Sequence, residues 1–172
     1  MKYTYDYFNE ITPEMDTCSN NAVLIKRNGF YSRALELWDN YPKKDHPYQL
    51  IGKGKLNILL DDIQTAKDCL FKVLQIYSKN EDIIDSPLDM NCLSAVEHLG
   101  YCLRDNVDKT EYLIRISGST KGVVTQGDRI LRSAEKENVD FGESKKRIVI
   151  GLEYLKNNNI WCGSFEKVNS LI

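Results

Sequence analysis

Two stretches of the chain repeat one local pattern, and this repetition limits the accessible folds more than any other feature. The first reads GFYSRALELW, from Gly29 to Trp38, and the second DDIQTAKDCL, from Asp61 to Leu70. Each opens on a chain-breaking residue and runs into a segment carrying a small alanine, Ala34 or Ala66, 32 residues apart. Aligned on these alanines, Tyr31 and Ile63 stand three residues before, Trp38 and Leu70 four after, and Tyr41 and Val73 seven after. Such spacing collects apolar side chains on one face of an α-helix. Twelve residues before each alanine comes another small residue, Ala22 or Gly54, inside what reads as a preceding helix. Small residues on two facing helices let antiparallel backbones approach, with larger side chains closing the gap on either side.

The pattern resembles the tetratricopeptide repeat, a helix–turn–helix unit of about 34 residues with small residues at fixed places and an aromatic after the second. Pro47 lies close to where that family carries a proline, and AVEHLGYCL, with Leu99-Gly100, resembles the start of a third copy. The third copy departs from the family where Tyr112 replaces the small alanine. The resemblance covers roughly residues 13–117. It implies an all-α fold of stacked antiparallel helical hairpins, about eight or nine helices in one domain. Residues 1–12 read as an N-terminal cap, and residues 118–172 as further C-terminal helices.

The chain's 172 residues suffice for one substantial core. Its 42% hydrophobic and 28% charged residues suit an elongated stack, which has more surface per residue than a sphere. No apolar run approaches the ~18 residues of a membrane span, and MKYTYDYFNE lacks the apolar region of a secretory signal, so a cytoplasmic protein is expected. Cys18, Cys69, Cys92, Cys102 and Cys162 are scattered, with no Cys-x-x-Cys pair, and read as reduced, mostly buried thiols. Residues 1–100 hold eleven Lys/Arg against fifteen Asp/Glu, and residues 101–172 twelve against ten. Neither half is basic enough to make nucleic acid the expected partner.

Helix boundaries follow from caps and breaks. Tyr3, Tyr5, Tyr7 and Phe8 alternate, as in a short strand or an extended segment covering the first hairpin. Thr12-Pro13-Glu14 starts a helix that Gly29 stops. The next helices are expected at about 30–41, 48–60, 63–77, 91–104, 109–116, 122–137 and 143–156, with a closing helix capped by Ser164. Gly52 and Gly54 weaken their helix unless they mark close contact with a neighbour. Residues 78–90 form the longest polar connection.

The residues show no catalytic constellation. Gly52-x-Gly54 has neither a third glycine nor a preceding strand, so it is not a phosphate loop. The acidic 78–90 loop lacks the glycine and closing glutamate of a calcium site. His98 and Cys102 share a helix face, but a nucleophile and its base usually sit on different elements. Two histidines and no paired cysteines do not make a structural zinc site. No metal, cofactor or small-molecule substrate is expected.

What remains is binding. A stacked-hairpin protein has a groove lined by the first helix of each pair, which would expose Asn21, Lys53, Asn57 and Arg104. The acidic connection would add Glu81, Asp82 and Asp85. The plainer reading of each is a solvated surface residue. By size, composition and lack of catalytic groups the chain is also similar in type to bacterial toxin-immunity proteins, which implies a cognate toxin, possibly a basic nuclease, as partner. A secretion chaperone or adaptor built of such repeats is the alternative. A nucleic-acid regulator using Lys145, Lys146 and Arg147 is the remaining one, though three charges support only weak, salt-sensitive binding.

Overall fold

The computed structural model describes residues 3–85, 89–104, 116 and 142–172. The helices expected at 109–116 and 122–137, and the Tyr112 position, lie outside the described residues. Among the described residues the chain is helical, with no strand. In order come α1 (Tyr5–Asn9), α2 (Pro13–Arg27), α3 (Tyr31–Asp39), α4 (Pro47–Leu59) and α5 (Ile63–Asn80). A single 3-10 turn (Glu81–Ile83) follows, then α6 (Asp89–Cys102), α7 (Gly142–Asn157) and α8 (Gly163–Ser170). Seven of these helices have eight residues or more, and two of the eight or nine expected fall outside the described residues.

Local chemistry sets the boundaries. Thr12 caps α2, its hydroxyl accepting from the Met15 N–H at 3.2 Å, with Pro13 in the first turn. Asp62 caps α5 by accepting from the Thr65 N–H. Three helices end alike, on a residue with left-handed backbone: Gly29 (φ 86°) after α2, Asp61 (φ 62°) after α4 and Asn159 (φ 57°) after α7. In each the following N–H reaches back five residues, Phe30 to the Ile25 carbonyl, Asp62 to Asn57 and Ile160 to Leu155. This closes carbonyls that would otherwise lack partners. The last helix differs from expectation, because Cys162 stands at its N-cap with no side-chain hydrogen bond and Ser164 already lies inside the helix. The long 78–90 connection is shorter than expected, since α5 continues to Asn80 and the 3-10 turn takes the next three residues.

The repeated alanines lie at the centres of the packing. Ala22, Ala34 and Ala66 are fully buried, as are Leu70 and Val73, and Trp38 and Tyr41 nearly so. A smaller core joins α2 and α3 to Leu56 of α4 through Met15, Ala22, Ala34, Trp38 and Tyr41. A larger one runs through α4, α5, α6, α7 and α8. Glycines set the closest approaches. A Cβ on Gly52 would fall 2.3 Å from the Trp38 indole, and one on Gly54 2.9 Å from Leu70. Between α6 and α7 the backbones themselves meet. A Cβ on Gly100 would lie 1.7 Å from the Arg147 carbonyl oxygen, and one on Gly151 2.4 Å from that of Val96. Because 100 faces 147 and 96 faces 151, the two helices run antiparallel.

Of the N-terminal aromatics, Tyr5, Tyr7 and Phe8 lie in a helix rather than in a strand or an extended segment, and Tyr3 precedes it. This short helix is α1, whose buried Phe8 joins the larger core rather than the core between α2 and α3. Lys43 donates to the carbonyls of Asp6, Tyr7 and Glu10 at 2.8, 3.0 and 2.7 Å, a cation at the negative end of α1. Asn9 donates to the Ile83 carbonyl at 2.6 Å and accepts from the Asp85 N–H at 2.9 Å. The 42–46 turn and the 83–85 segment therefore clamp α1 from two sides.

Candidate functional site

A cleft of about 310 Å³ opens where α2, α4 and α6 come together. Asp16 and Ser19 enter it from α2, Tyr48 and Ile51 from α4, and Asn91 from α6. Trp38, at the end of α3, and Tyr41, just beyond it, complete the wall, with Ile11 at the approach to α2. Helical spacing explains the selection. Asp16 and Ser19 are three apart, as are Tyr48 and Ile51, so each pair lies on one helix face.

The aromatic wall is held rigidly. Trp38 is wedged against Gly52, and its ring centroid lies 5.3 Å from that of Tyr41. Gln49, buried in α4, donates to the Trp38 carbonyl at 2.7 Å and accepts from the Asp45 N–H at 2.7 Å. Beneath Tyr41 and Tyr48 sits His46, with centroids 6.1 and 4.7 Å away. Its Nδ1 accepts from the Tyr48 N–H at 3.1 Å, capping α4, while Nε2 lies 3.1 Å from the Phe8 carbonyl oxygen. A carbonyl only accepts and an amide N–H only donates, so these partners select the neutral ring with its proton on Nε2. Burial pushes His46 down to about 4, with the Phe8 carbonyl working against the fall and Lys43 adding to it.

The polar lining is sparse and unevenly satisfied. The Tyr41 hydroxyl is buried with no hydrogen-bond partner. Burial pushes this phenol up to about 12. Ser19 partly offsets the rise without meeting hydrogen-bond geometry, and Tyr48, Cys18 and Asp16 add to it. Tyr48 is raised as well, by burial and then by Asp16. The Asp16 carboxylate is therefore felt at both phenols. Among the described residues that line the cleft, Asp16 is the single formal charge, and no lysine or arginine is present.

The residues expected from sequence lie elsewhere. Asn21 is exposed on α2, outside the cleft lining. Lys53 pairs with Asp39 at 2.8 Å. Asn57 is 4% exposed and donates to the Lys53 carbonyl, so it belongs to the interior rather than to a groove surface. Lys53 sits two residues beyond Ile51, roughly 200° round the helix, and points away from the cleft. Arg104 follows α6, half-buried. Glu81 and Asp82 are exposed on the 3-10 turn. The Glu81 carboxylate lies over Gly163 at the start of α8, where a Cβ would come 2.1 Å from its oxygen. Asp85 accepts from the Tyr5 hydroxyl at 2.6 Å and so helps to clamp α1. None of the seven lines the cleft, and they are dispersed over the fold. A sequence signal for the cleft did exist: Trp38, Tyr41 and Tyr48 are concentrated around the 42–47 turn.

Other chemistry-bearing groups have structural surroundings. The basic run in α7 is divided, with Lys145 and Lys146 exposed and Arg147 buried. Arg147 donates to Glu97 Oε1 through Nε at 3.2 Å and a terminal nitrogen at 3.0 Å, and Ser144 donates to the same oxygen at 2.5 Å. One of the three cations proposed to meet nucleic acid is thus committed to the α6–α7 interface. All five cysteines are free thiols, Cys92 and Cys162 buried and the others half-buried. Burial raises Cys18, Cys69 and Cys162, the opposite of the shift that activates a nucleophilic thiol. His98 and Cys102 lie on α6, with His98 buried.

Among the described residues no group of three or more His, Cys, Asp or Glu side chains is placed to hold a metal, and no helix is long and apolar enough to cross a membrane. Comparison with known proteins gave no match to any protein-family model, curated protein or solved structure.

Proposed function

We propose that the chain is a non-catalytic protein-binding module whose contact surface is centred on the cleft between α2, α4 and α6. The observation that carries this reading is the buried, unpartnered Tyr41 hydroxyl in an aromatic wall. Leaving a hydroxyl buried and unsatisfied costs about 1–3 kcal/mol, which a partner group reaching it would recover. The cleft gathers side chains from several helices, Asp16 and Ser19 from α2, Trp38 from α3, Tyr48 and Ile51 from α4 and Asn91 from α6, which suits contact with a partner surface. Among the described lining residues the one formal charge is negative, and residues 1–100 carry more Asp/Glu than Lys/Arg. Both features favour a basic partner.

Within that class we favour a bacterial immunity protein that binds and neutralises a cognate toxin. The test is to co-express the chain with the product of the adjacent gene. Suppressed toxicity together with a stable one-to-one complex supports this reading. An unfolded or secretion-bound client in the complex moves the assignment to a chaperone. Turnover of a small molecule, with no protein partner, refutes the binding role.

A further inference from the structure

We propose that the cleft is a receptor for a single arginine side chain presented by a protein partner. The inference rests on the protein-binding reading and specifies the chemistry of what is bound. Three features of the cleft select the occupant.

The first is charge. Asp16 is the only formal charge among the described lining residues, and its field reaches the Tyr41 and Tyr48 phenols. An anion entering the cleft meets this carboxylate and the negative faces of the rings. A cation is attracted by both.

The second is the wall. Trp38, Tyr41 and Tyr48 offer aromatic surface, and the Gly52 contact and the Gln49 hydrogen bond to its carbonyl hold Trp38 in place. A planar guanidinium stacks on such rings as well as being drawn to them electrostatically, whereas an ammonium does only the latter. A preformed wall also spares the ordering cost of binding.

The third is hydrogen bonding. The Tyr41 hydroxyl is buried and without a partner, and Ser19, Asn91 and Asp16 place further oxygens around the cleft. A guanidinium carries five donors and no acceptor, so it can serve several separated oxygens at once. An aliphatic side chain would fill the space and leave the hydroxyl unsatisfied. At about 310 Å³ the cleft lies at the lower end of ligand-pocket sizes, roughly 300–1,000 Å³, which suits one long side chain rather than a folded segment.

The test uses the intact chain and a blocked Gly-Arg-Gly tripeptide, with citrulline and lysine tripeptides as comparisons. Citrulline keeps the shape of arginine and removes its charge. Binding is followed by NMR through the Trp38 indole N–H and the backbone amides around the cleft. The expected result is that the arginine peptide shifts these resonances, with citrulline at least tenfold weaker and lysine several-fold weaker. Asp16→Asn, an exposed position that leaves the fold intact, should lower arginine affinity about tenfold and compress the arginine–citrulline difference. Tyr41→Phe should weaken arginine several-fold without loss of helicity. Equal binding of arginine and citrulline, no shift of the cleft resonances at millimolar peptide, or an Asp16→Asn variant with unchanged selectivity would overturn the proposal. The two readings fail separately. A cognate protein that binds wild type and Asp16→Asn equally well removes the arginine receptor and leaves the binding module. A chain that binds the arginine peptide but forms no protein complex removes the module.

Discussion

Acidification should unfold this protein partly through one buried ring, His46. The side chain is 0% exposed and makes two hydrogen bonds that need opposite roles, Nδ1 accepting from Tyr48 and Nε2 donating to Phe8. Protonation adds a hydrogen to Nδ1, which then faces the Tyr48 N–H donor for donor. The cap of α4 therefore depends on the neutral ring, whereas the Nε2–H bond to the Phe8 carbonyl survives protonation. In the unfolded chain histidine titrates near 6.5, and in the folded protein His46 is lowered to about 4. Between those values the unfolded chain binds a proton that the folded protein refuses. The stabilisation is complete above about pH 6.5 and is lost as the pH falls towards 4. The loss comes to about 2 kcal/mol between pH 7 and pH 5, and about 3 kcal/mol by pH 4. Carboxylates also destabilise proteins in acid, so the comparison is made against His46→Asn. Asparagine is a good N-cap and can accept from Tyr48, but it does not titrate. This variant should be less stable than wild type at pH 7 by about 2–3 kcal/mol, because the ring's packing is lost. The gap should narrow by about 2 kcal/mol on going to pH 5. Urea unfolding followed by far-UV circular dichroism at several pH values measures both. A gap that stays constant from pH 7 to pH 5 would show that His46 is not held neutral, and the argument would fall.

Ala34→Leu and Ala66→Leu should each destabilise by about 1–3 kcal/mol in urea unfolding, since both alanines are fully buried between packed helices and the added volume has no place to go. Unchanged midpoints in both would remove the packing role given to the repeat. Asp61→Gly should stabilise by about 0.5–1 kcal/mol, because Asp61 holds a left-handed φ of 62° that glycine adopts without strain. A lower thermal midpoint would mean that the aspartate side chain does more than occupy the turn. Glu97→Gln should destabilise by about 1–3 kcal/mol, because a neutral amide replaces the buried carboxylate oxygen that accepts from both Arg147 and Ser144. The double variant Glu97→Met with Arg147→Met should recover much of that loss, and a double variant as unstable as the single one would contradict the electrostatic account.

The sequence was most informative where structure is local. The apolar spacing around Ala34 and Ala66 marks one helix face, and both alanines are buried where that spacing places them. Thr12, Asp62 and Gly29 announce helix starts and stops because a cap needs only a few adjacent residues and one hydrogen bond. Gly52 and Gly54 could be read as close contacts for a similar reason. In a helix a glycine costs stability unless the missing side chain makes room for something, here Trp38 and Leu70.

Legibility ended where distant segments meet. The α1 aromatics alternate as a strand would, yet Lys43 holds them in a helix from more than thirty positions away. Asn57 looks like a surface residue by type, but the large apolar surface packed around α4 takes it inside. The basic run in α7 reads as one patch, but Arg147 turns inward to Glu97, fifty residues earlier in the chain. For the cleft, the aromatic half was visible as a concentration of rings around one turn, while the Asp16, Ser19 and Asn91 contributions were not.

The sequence by itself therefore determined the helical class, most helix boundaries and the small residues at the packing centres. These rest on interactions within about one helical turn or on a fixed period along the chain. The tertiary structure decided which helix covers α6, which charges are buried, and which side chains share the cleft. Gly100 and Gly151 let two backbones touch, and that contact brings Glu97 to Arg147. The convergence of α2, α4 and α6 sets Asp16 and Asn91 beside the Trp38 and Tyr41 rings. Neither arrangement leaves a periodic trace, because each is formed by packing between residues far apart in the chain.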